Sequence, residues 1–94
     1  MGYVKIGTAN TFSKVDATKP FALKIAEETC EVYSAFENYS DAASTMRTKE
    51  RKKLLLEIAD VITACGNLAQ ALGCTDLTTY MAMVEESNRR KGRL

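Results

Sequence analysis

Histidine is absent from this chain of 94 residues, and its absence excludes much of the usual catalytic repertoire. Histidine is the commonest general base near neutral pH and the commonest protein ligand of transition metals. A nucleophilic site of the Ser-His or Cys-His kind therefore cannot be built from this sequence. If the chain moves protons in a reaction, a carboxylate is a candidate for the base.

Cysteine, proline and glycine are also scarce. The three cysteines, Cys30, Cys65 and Cys74, are odd in number and show no CxxC spacing. They are predicted to be buried structural thiols and not a disulfide framework or a zinc site. One proline and five glycines, with 46% hydrophobic and 27% charged residues, are typical of a globular and mostly helical chain.

Neither sign of charge dominates, because the formal net charge is only +1. The sequence lacks the strong basic excess that proteins binding nucleic acids or membrane surfaces usually carry. It also has no apolar core of the signal-peptide type and no run approaching about eighteen consecutive apolar residues. We therefore expect a cytoplasmic protein with no membrane partner, and we do not expect nucleic acid to be its main ligand.

Helical periodicity predicts three main helices whose ends are marked by capping residues. Thr18 is a candidate N-cap of the first helix, and Pro20 lies in its first turn, where the missing N–H costs nothing. Gly73 is a natural C-cap of the second helix, and Thr75 or Asp76 caps the third. The predicted helices span residues 18–39, 49–72 and 76–90.

The residues before the first helix, 1–17, scatter apolar side chains among Gly, Thr and Asn and predict an irregular N-terminal arm. A chain of this length buries only a modest core of its own, so oligomerisation is expected. We predict one all-α domain over residues 1–94. In it, an antiparallel helical hairpin is completed by dimerisation into a four-helix-type bundle.

The second helix contains the most informative stretch, residues 54–72. Its main apolar face repeats at alternating steps of four and three residues and comprises Leu54, Ile58, Val61, Cys65, Leu68 and Leu72. Further apolar residues surround much of the rest, so the helix is expected to be buried nearly all round. Glu57 and Asp60 interrupt it side by side on one flank. Ionised carboxylates in such a helix are costly unless they are paired or bound to a metal.

The first helix contains a matching pair of acids. Glu28 stands in a seam that is otherwise apolar, and Glu31 follows one turn later. If the two helices pack antiparallel, both pairs meet at mid-bundle, where four oxygen donors suit Mg²⁺, with Mn²⁺ as a substitute. The remaining seam positions are Phe21, Ile25, Val32, Ala35 and Tyr39. A solvated acidic face is the alternative for either pair taken alone.

These acidic motifs resemble those of a known family. EETCE at residues 27–31 and EIAD at residues 57–60 are similar to the EExxE and ExxD signature of the MazG nucleoside triphosphate pyrophosphohydrolases. The likeness covers about residues 20–93, including the basic tail SNRRKGRL. It implies an all-α hydrolase that converts (deoxy)nucleoside triphosphates to monophosphate and pyrophosphate in nucleotide-pool house-cleaning. It also implies a homodimer or a homotetramer built as a dimer of dimers.

The resemblance also implies roles for individual residues. Glu27 or Glu31 would orient or deprotonate the attacking water. The Mg²⁺ ligands would be Glu28, Glu31, Glu57 and Asp60. The substrate-binding candidates are Asn88, Arg90, Lys91, Arg93 and Lys53. The sequence itself offers Phe21, Tyr33, Phe36 and the N-terminal arm as candidates to stack on the base, although aromatic residues at helical spacing are more often part of a core.

Two other functions stay open. Phosphoribosyl-ATP pyrophosphatases share the helical acid pairs but act on an intermediate of histidine synthesis. The basic stretches 46–53 and 89–93 would instead suit a non-enzymatic helical dimer or a DNA-binding module, although no helix-turn-helix signal accompanies them.

Overall fold

The protein is described here by a computed structural model that covers residues 2–94. Those residues form three α-helices and one short 3₁₀ turn and contain no strand, so the predicted all-α class is confirmed. The first helix continues two residues beyond its predicted end, and the second begins two residues earlier than predicted. The elements are α1 (Lys19–Asp41), the 3₁₀ turn (Ser44–Met46), α2 (Arg47–Ala71) and α3 (Thr78–Arg90).

The helix starts use the expected residues in unequal ways. Thr18 is the N-cap residue of α1, but its hydroxyl makes no capping hydrogen bond, and Pro20 occupies the first turn. At α3, Asp76 Oδ1 accepts hydrogen bonds from the Thr78 backbone N–H at 2.9 Å and from the Thr78 hydroxyl at 2.6 Å. These two bonds hold the pKa of Asp76 below its ordinary value. The N-cap residue of α3 is Leu77, and Asp76 binds the start of the helix from the position before it.

Glycines end two of the helices. Gly73 follows α2 with φ +81°, its N–H donates to the Gln70 carbonyl at 2.9 Å, and the Cys74 N–H reaches back to the Ala69 carbonyl at 2.9 Å. Gly92 ends α3 in the same way at φ +74°. Both ends are Schellman motifs, in which the left-handed residue is glycine because it has no Cβ to clash.

In the hairpin of α1 and α2, the buried side of α1 is the side that the sequence predicted. Its seam residues Phe21, Ile25, Glu28, Val32, Ala35 and Tyr39 are all buried or half-buried. Near the connection, the Arg47 guanidinium lies 5.0 Å from the centre of the Tyr39 ring, a cation–π contact that ties the two helices together. At the opposite end of the hairpin, Phe21 shares a cavity wall with Ala64. The two helices therefore run antiparallel.

On α2, the side turned toward α1 overlaps the predicted face only in part. Leu54, Val61 and Leu68 of that face are half-buried, whereas Ile58, Cys65 and Leu72 are exposed. Glu57, which is half-buried, and Ala64, which is buried, lie on the inner side as well. The expectation that α2 is buried nearly all round is wrong for a single chain. It failed because an apolar stripe shows that something covers a face but does not show which element covers it.

The expectation of buried thiols is also wrong for most of the cysteines. Cys30 and Cys65 are exposed and Cys74 is half-buried, and all three are free. Cys65 belongs to the same uncovered stripe of α2 as Ile58 and Leu72, so its exposure has the same cause.

A single chain leaves far more surface open than its mass requires. Its accessible surface is 7612 Å², whereas a folded monomer of 10.4 kDa exposes about 5,400 Å². Its radius of gyration of 15.6 Å also exceeds the value of about 12.4 Å for a compact domain of this length. Ala64 is the one buried hydrophobic residue among residues 2–94. The hairpin alone therefore has almost no apolar core.

The N-terminal arm lies against its own chain. The Phe12 backbone N–H donates to Asn67 Oδ1 at 2.9 Å, and Asn67 is only 3% exposed. Three residues earlier in the arm, Ala9 approaches Gly66 so closely that a Cβ added to Gly66 would lie 3.5 Å from the Ala9 Cβ. The arm thus crosses the C-terminal half of α2. Within residues 2–94, α3 packs against neither α1 nor α2.

One helical stretch, Ser44–Ala71, is long and apolar enough to cross a membrane by length and composition alone. This is weak evidence, because a helix that is covered by protein in an assembly passes the same test. Glu57 and Asp60 lie near the middle of the stretch, where ionised groups would be costly in a bilayer.

The arm contact yields a test. Replacing Asn67 by Ala removes the acceptor of the Phe12 N–H, and we expect the free energy of unfolding to fall by about 1–2 kcal/mol. Urea unfolding measures the loss, and amide exchange at Phe12 shows whether the arm has come free. Gln70→Ala, at an exposed position on the same helix, is the control and should change neither quantity. Unchanged exchange at Phe12 in Asn67→Ala would contradict this account of the arm.

Candidate metal centre

Three carboxylates meet where α1 and α2 pack at mid-hairpin. One oxygen from each of Glu28, Glu31 and Glu57 lies within 4.8 Å of the other two. Glu28 and Glu31 are one turn apart on α1, and Glu57 faces them from α2. The three residues, which we call the carboxylate cluster, are respectively buried, exposed and half-buried. Two of the acids are therefore partly withdrawn from water at the junction of the helices.

Two oxygens of the carboxylate cluster are buried without a partner. Glu28 Oε2 and Glu57 Oε2 make no hydrogen bond among the described residues. Glu28 Oε1 forms an ion pair with the Lys24 ammonium, which lies 3.1 Å away, one turn earlier on α1. That contact raises the pKa of Lys24. A buried carboxylate oxygen without a partner is costly, and a cation shared by the cluster would satisfy both oxygens.

The charges of the carboxylate cluster affect the pKa of Glu31. The neighbouring Glu28 charge, followed by a side-chain hydrogen bond with Glu57, raises the pKa of Glu31 above its ordinary value. Three acids this close resist full ionisation, so a shared proton relieves part of the repulsion. A divalent cation would relieve it more completely and would release that proton.

The other two predicted acids lie beside the carboxylate cluster and not in it. Asp60, one turn beyond Glu57, is exposed and lines a cavity together with Glu28. Glu27 is largely exposed, and its Oε2 lies 3.6 Å from the Lys24 ammonium that also contacts Glu28. The structure therefore brings together three of the four predicted ligands, and the fourth adjoins them.

Two cavities flank the carboxylate cluster. The arm cavity, of about 380 Å³, lies under the N-terminal arm and reaches Glu28 and Asp60. The lysine cavity, of about 320 Å³, lies toward the hairpin connection and is lined by Glu31, Glu57 and Lys53. A long ligand whose middle binds at the cluster would therefore find space on both sides.

Lys53 is the predicted cation that lies closest to this arrangement. It shares the lysine cavity with Glu31 and Glu57, and its ammonium lies 3.6 Å from Glu50 Oε1. The Lys53 side chain is about half exposed, whereas that of Glu50 is largely buried in the wall of the same cavity. A phosphate group in the lysine cavity would compete with Glu50 for Lys53.

The predicted tail residues lie on a different element. Asn88 Oδ1 accepts a hydrogen bond from the Arg93 guanidinium at 3.1 Å, and Arg90 lies 3.9 Å from Glu86. Because α3 packs on neither helix of the hairpin, a single chain does not bring this tail to the carboxylate cluster over residues 2–94. The assignments of Asn88, Arg90, Lys91 and Arg93 stay predictions.

Sequence reasoning missed two residues of this region. Lys24 lies one turn before Glu28, a spacing that permits an ion pair and could have been recognised. Asn67 is a polar residue in an otherwise apolar stretch, seven positions after Asp60 and therefore on nearly the same side of the helix. That interruption was the available signal for Asn67, but its partner in the arm carries no sequence signal.

The residues present fit a hard divalent cation. Carboxylates supply all of the candidate ligands, as Mg²⁺ and Mn²⁺ prefer, and two buried oxygens have no other partner.

Comparisons of the chain with profiles of known protein families, with curated proteins and with solved structures found no significant match. The metal assignment therefore depends on the geometry of the carboxylate cluster and on the sequence motifs.

The raised pKa of Glu31 predicts how pH affects the metal-free protein. The folded state holds this proton more tightly than the unfolded chain, whose value is near 4.5. Stability should therefore fall as pH rises from about 4.5 through the higher folded value. Thermal unfolding across this range measures the slope. Glu31→Gln should flatten it, whereas Glu37→Gln, an exposed acid farther along α1, should not.

Bound metal should reverse the loss of stability that rising pH causes in the metal-free protein. Mg²⁺ at about ten times its dissociation constant contributes about 1.4 kcal/mol to a folded state that alone binds it. For a domain of this size, that corresponds to a rise in Tm of at least about 5 °C. The rise should grow with pH as the proton of the carboxylate cluster becomes easier to displace. A Tm that is unchanged by millimolar Mg²⁺ and Mn²⁺ at pH 8 would contradict the metal site.

Proposed function

We propose that this chain is a Mg²⁺-dependent nucleoside triphosphate pyrophosphohydrolase that cleaves (deoxy)nucleoside triphosphates to monophosphate and pyrophosphate in the cytoplasm. The observation that carries the proposal is the meeting of Glu28, Glu31 and Glu57 across two helices, with two buried oxygens left unpartnered. These residues come from the EExxE and ExxD motifs that resemble the MazG family. The proposed role is nucleotide-pool house-cleaning.

The reaction needs charge neutralisation and alignment more than covalent catalysis. Mg²⁺, bound by the carboxylate cluster with Asp60, would neutralise phosphate charge and acidify a water molecule. The water oxygen attacks the α-phosphorus, the bond from that phosphorus to the bridging oxygen breaks, and pyrophosphate leaves. Glu31 is the side chain that we assign to take the water proton, because a carboxylate beside the reacting water can act as a base and the chain has no histidine. Glu27, paired with Lys24, is a positioning residue in this scheme.

The lysine cavity is the proposed site of the departing phosphates. Lys53 is the cation in its wall, beside its partner Glu50 and two acids of the carboxylate cluster. An ammonium there compensates the negative charge that develops on the leaving pyrophosphate. The tail residues Asn88, Arg90, Lys91 and Arg93 would add to this site if α3 of a second copy, or a moved α3, approaches the cluster.

A second copy of the chain is the proposed cover of the apolar surface. The excess accessible surface of about 2,200 Å² per chain, relative to a compact monomer, exceeds the roughly 800 Å² that each partner buries in a standard interface. The open surface includes Leu55, Ile58 and Leu72 of α2. Pairing of two hairpins would complete the four-helix-type core, and two such dimers would give a tetramer.

Identification of the products tests the proposed reaction. We expect incubation with each dNTP and Mg²⁺ to release monophosphate and pyrophosphate in equal amounts, as detected by phosphorus NMR. Release of orthophosphate instead would contradict the assigned bond. Cleavage of phosphoribosyl-ATP with ordinary triphosphates untouched would move the function to that substrate, and no cleavage with Mg²⁺ or Mn²⁺ would overturn the proposal.

Acid-to-amide substitutions test the assigned ligands. Glu28→Gln and Asp60→Asn keep side-chain size but remove the charge that holds a cation, so we expect kcat to fall at least about 100-fold. Circular dichroism should show an unchanged helix content. Glu37→Gln is the matched control on α1, outside both cavities, and should keep normal turnover. Near-normal turnover of either ligand variant would show that the ligand assignment is wrong.

Oligomeric state tests the proposed cover of α2. Sedimentation should give a dimer or tetramer, and Leu55→Asp should shift it toward monomer and lower the Tm, because a charge at the interface must be desolvated. Gln70→Asp introduces the same charge at an exposed polar position of α2 and should leave the assembly intact. A wild-type monomer at micromolar concentration, or assembly that requires lipid vesicles, would contradict the proposal.

A further inference from the structure

Two lysines flank the carboxylate cluster, one in each of the cavities beside it. Lys53 of α2 lines the lysine cavity, and Lys24 of α1 lines the arm cavity. Among residues 2–94, each is the only cationic residue in the wall of its cavity. The carboxylate cluster therefore has an ammonium group on either side, and the two groups are carried by different helices.

The two lysines are held in the same way. The Lys24 ammonium lies 3.1 Å from Glu28 Oε1, and the Lys53 ammonium lies 3.6 Å from Glu50 Oε1. The lysine side chains are 52% and 55% exposed, whereas those of their acidic partners are 11% and 16% exposed. In each pair the acid is fixed in the wall, and the lysine is open enough to turn toward an anion that enters the cavity.

The partner of Lys24 is also a ligand of the proposed metal. Glu28 Oε1 is paired with Lys24, while Glu28 Oε2 is buried without a partner. A divalent cation at Glu28 attracts the carboxylate more strongly than an ammonium does, because the Coulomb energy scales with charge, and it repels the ammonium. Metal binding therefore loosens Lys24 from Glu28. Lys53 keeps its pair, because Glu50 lies outside the carboxylate cluster.

The charge of the loaded site calls for an ammonium on both sides. One Mg²⁺ neutralises two of the four charges of the carboxylate cluster and Asp60, and a triphosphate then brings further negative charge. Lys53 lies on the side that we assign to the departing pyrophosphate. The phosphate that stays on the monophosphate is left at the carboxylate cluster itself, where Lys24 is the ammonium within reach.

We propose that Lys24 changes partners: it pairs with Glu28 in the metal-free protein and, once the metal holds Glu28, binds the phosphate that remains on the monophosphate product. The inference rests on the proposed function, because it assigns one phosphate of the same substrate. Lys24 is thus the counter-ion of the acidic centre before the metal arrives and a phosphate ligand afterwards. Lys24 and Lys53 divide the two products between them.

The wild-type protein with metal alone tests the exchange directly. Isotope-edited NMR of lysine side chains reports the ammonium groups of Lys24 and Lys53 separately. On saturation with Mg²⁺, we expect the Lys24 signal to move to the position of an unpaired lysine while the Lys53 signal stays. A Lys24 signal that does not move, although Mg²⁺ raises the Tm, would overturn the exchange.

The affinity for metal distinguishes this role from a merely structural one. Lys24→Met removes the competing ammonium, so we expect it to bind Mn²⁺ about two- to fivefold more tightly, as measured by electron paramagnetic resonance. If Lys24 only held Glu28 in place for the metal, the variant would bind Mn²⁺ more weakly, which would contradict the proposal. Lys19→Met, at an exposed position earlier in α1, is the control for the lost charge and should bind Mn²⁺ normally.

Product binding tests the phosphate role without turnover. Calorimetry in the presence of Mg²⁺ measures the affinity for the four 2′-deoxynucleoside monophosphates and for pyrophosphate. Lys24→Met should weaken monophosphate binding at least about tenfold, because a charge-assisted hydrogen bond is lost, and should change pyrophosphate binding less than about twofold. Lys53→Met should show the reverse pattern, and Lys24→Arg should keep monophosphate binding. Equal losses for both products in Lys24→Met, or no loss, would refute the assignment.

Failure of this inference and failure of the proposed function give different results. If triphosphates are cleaved and Lys24→Met binds monophosphates as the wild type does, the reaction stands and the role of Lys24 fails. If the crossed pattern appears but no triphosphate is cleaved, Lys24 stands as a phosphate ligand and the proposed function fails. A wild-type protein that binds neither Mg²⁺ nor Mn²⁺ would overturn both.

Discussion

The packing of three carboxylates against one another between α1 and α2 is the constraint on which the rest of this structure depends. Glu28 occupies a seam position that an apolar residue would fill at lower cost, and Glu57 faces it from the other helix. A single ammonium, that of Lys24, reaches the cluster among the ion pairs of residues 2–94. The hairpin therefore closes around unbalanced negative charge, which is physically reasonable if a cation belongs there.

The thin apolar core also indicates that the single chain gains little stability from its own packing. A hairpin that buries Ala64, Glu28 and Asn67 and leaves Leu55, Ile58 and Leu72 open cannot offset the cost of its acidic centre by its own packing. In the proposed account, further stabilisation comes from outside the single chain. A bound cation would offset the charge, and a second copy would cover the apolar stripe. In this account, metal binding, assembly and folding are coupled, and the site is most stable where all three are present.

The sequence predicted α1 more accurately than α2. On α1, six positions at alternating spacing, with Glu28 among them, are the positions that contact α2, because that helix has one apolar stripe and one partner within the chain. On α2, apolar residues surround the helix, so periodicity could not show which side faces α1. The stripe containing Ile58 and Leu72 proved to be open, and the side containing Glu57 proved to be inside.

The candidate site shows the same limit. The motifs identified Glu28, Glu31 and Glu57 correctly as neighbours, because helical spacing and antiparallel pairing fix their positions. The contact of Phe12 with Asn67 spans 55 positions of sequence, and no local pattern encodes a contact between an irregular arm and a distant helix. The position of the tail beyond Asn88 depends on how α3 is placed, which the hairpin pattern does not determine.

Anomalous scattering from crystals grown with Mn²⁺ tests the central claim most directly. The account predicts a strong manganese peak between α1 and α2, within bonding distance of oxygens from Glu28, Glu31 and Glu57. The Lys24 ammonium should then be displaced from Glu28. Crystals that contain millimolar Mn²⁺ but show no peak at this position, with Lys24 still paired to Glu28, would contradict the assignment of the carboxylate cluster as a metal centre.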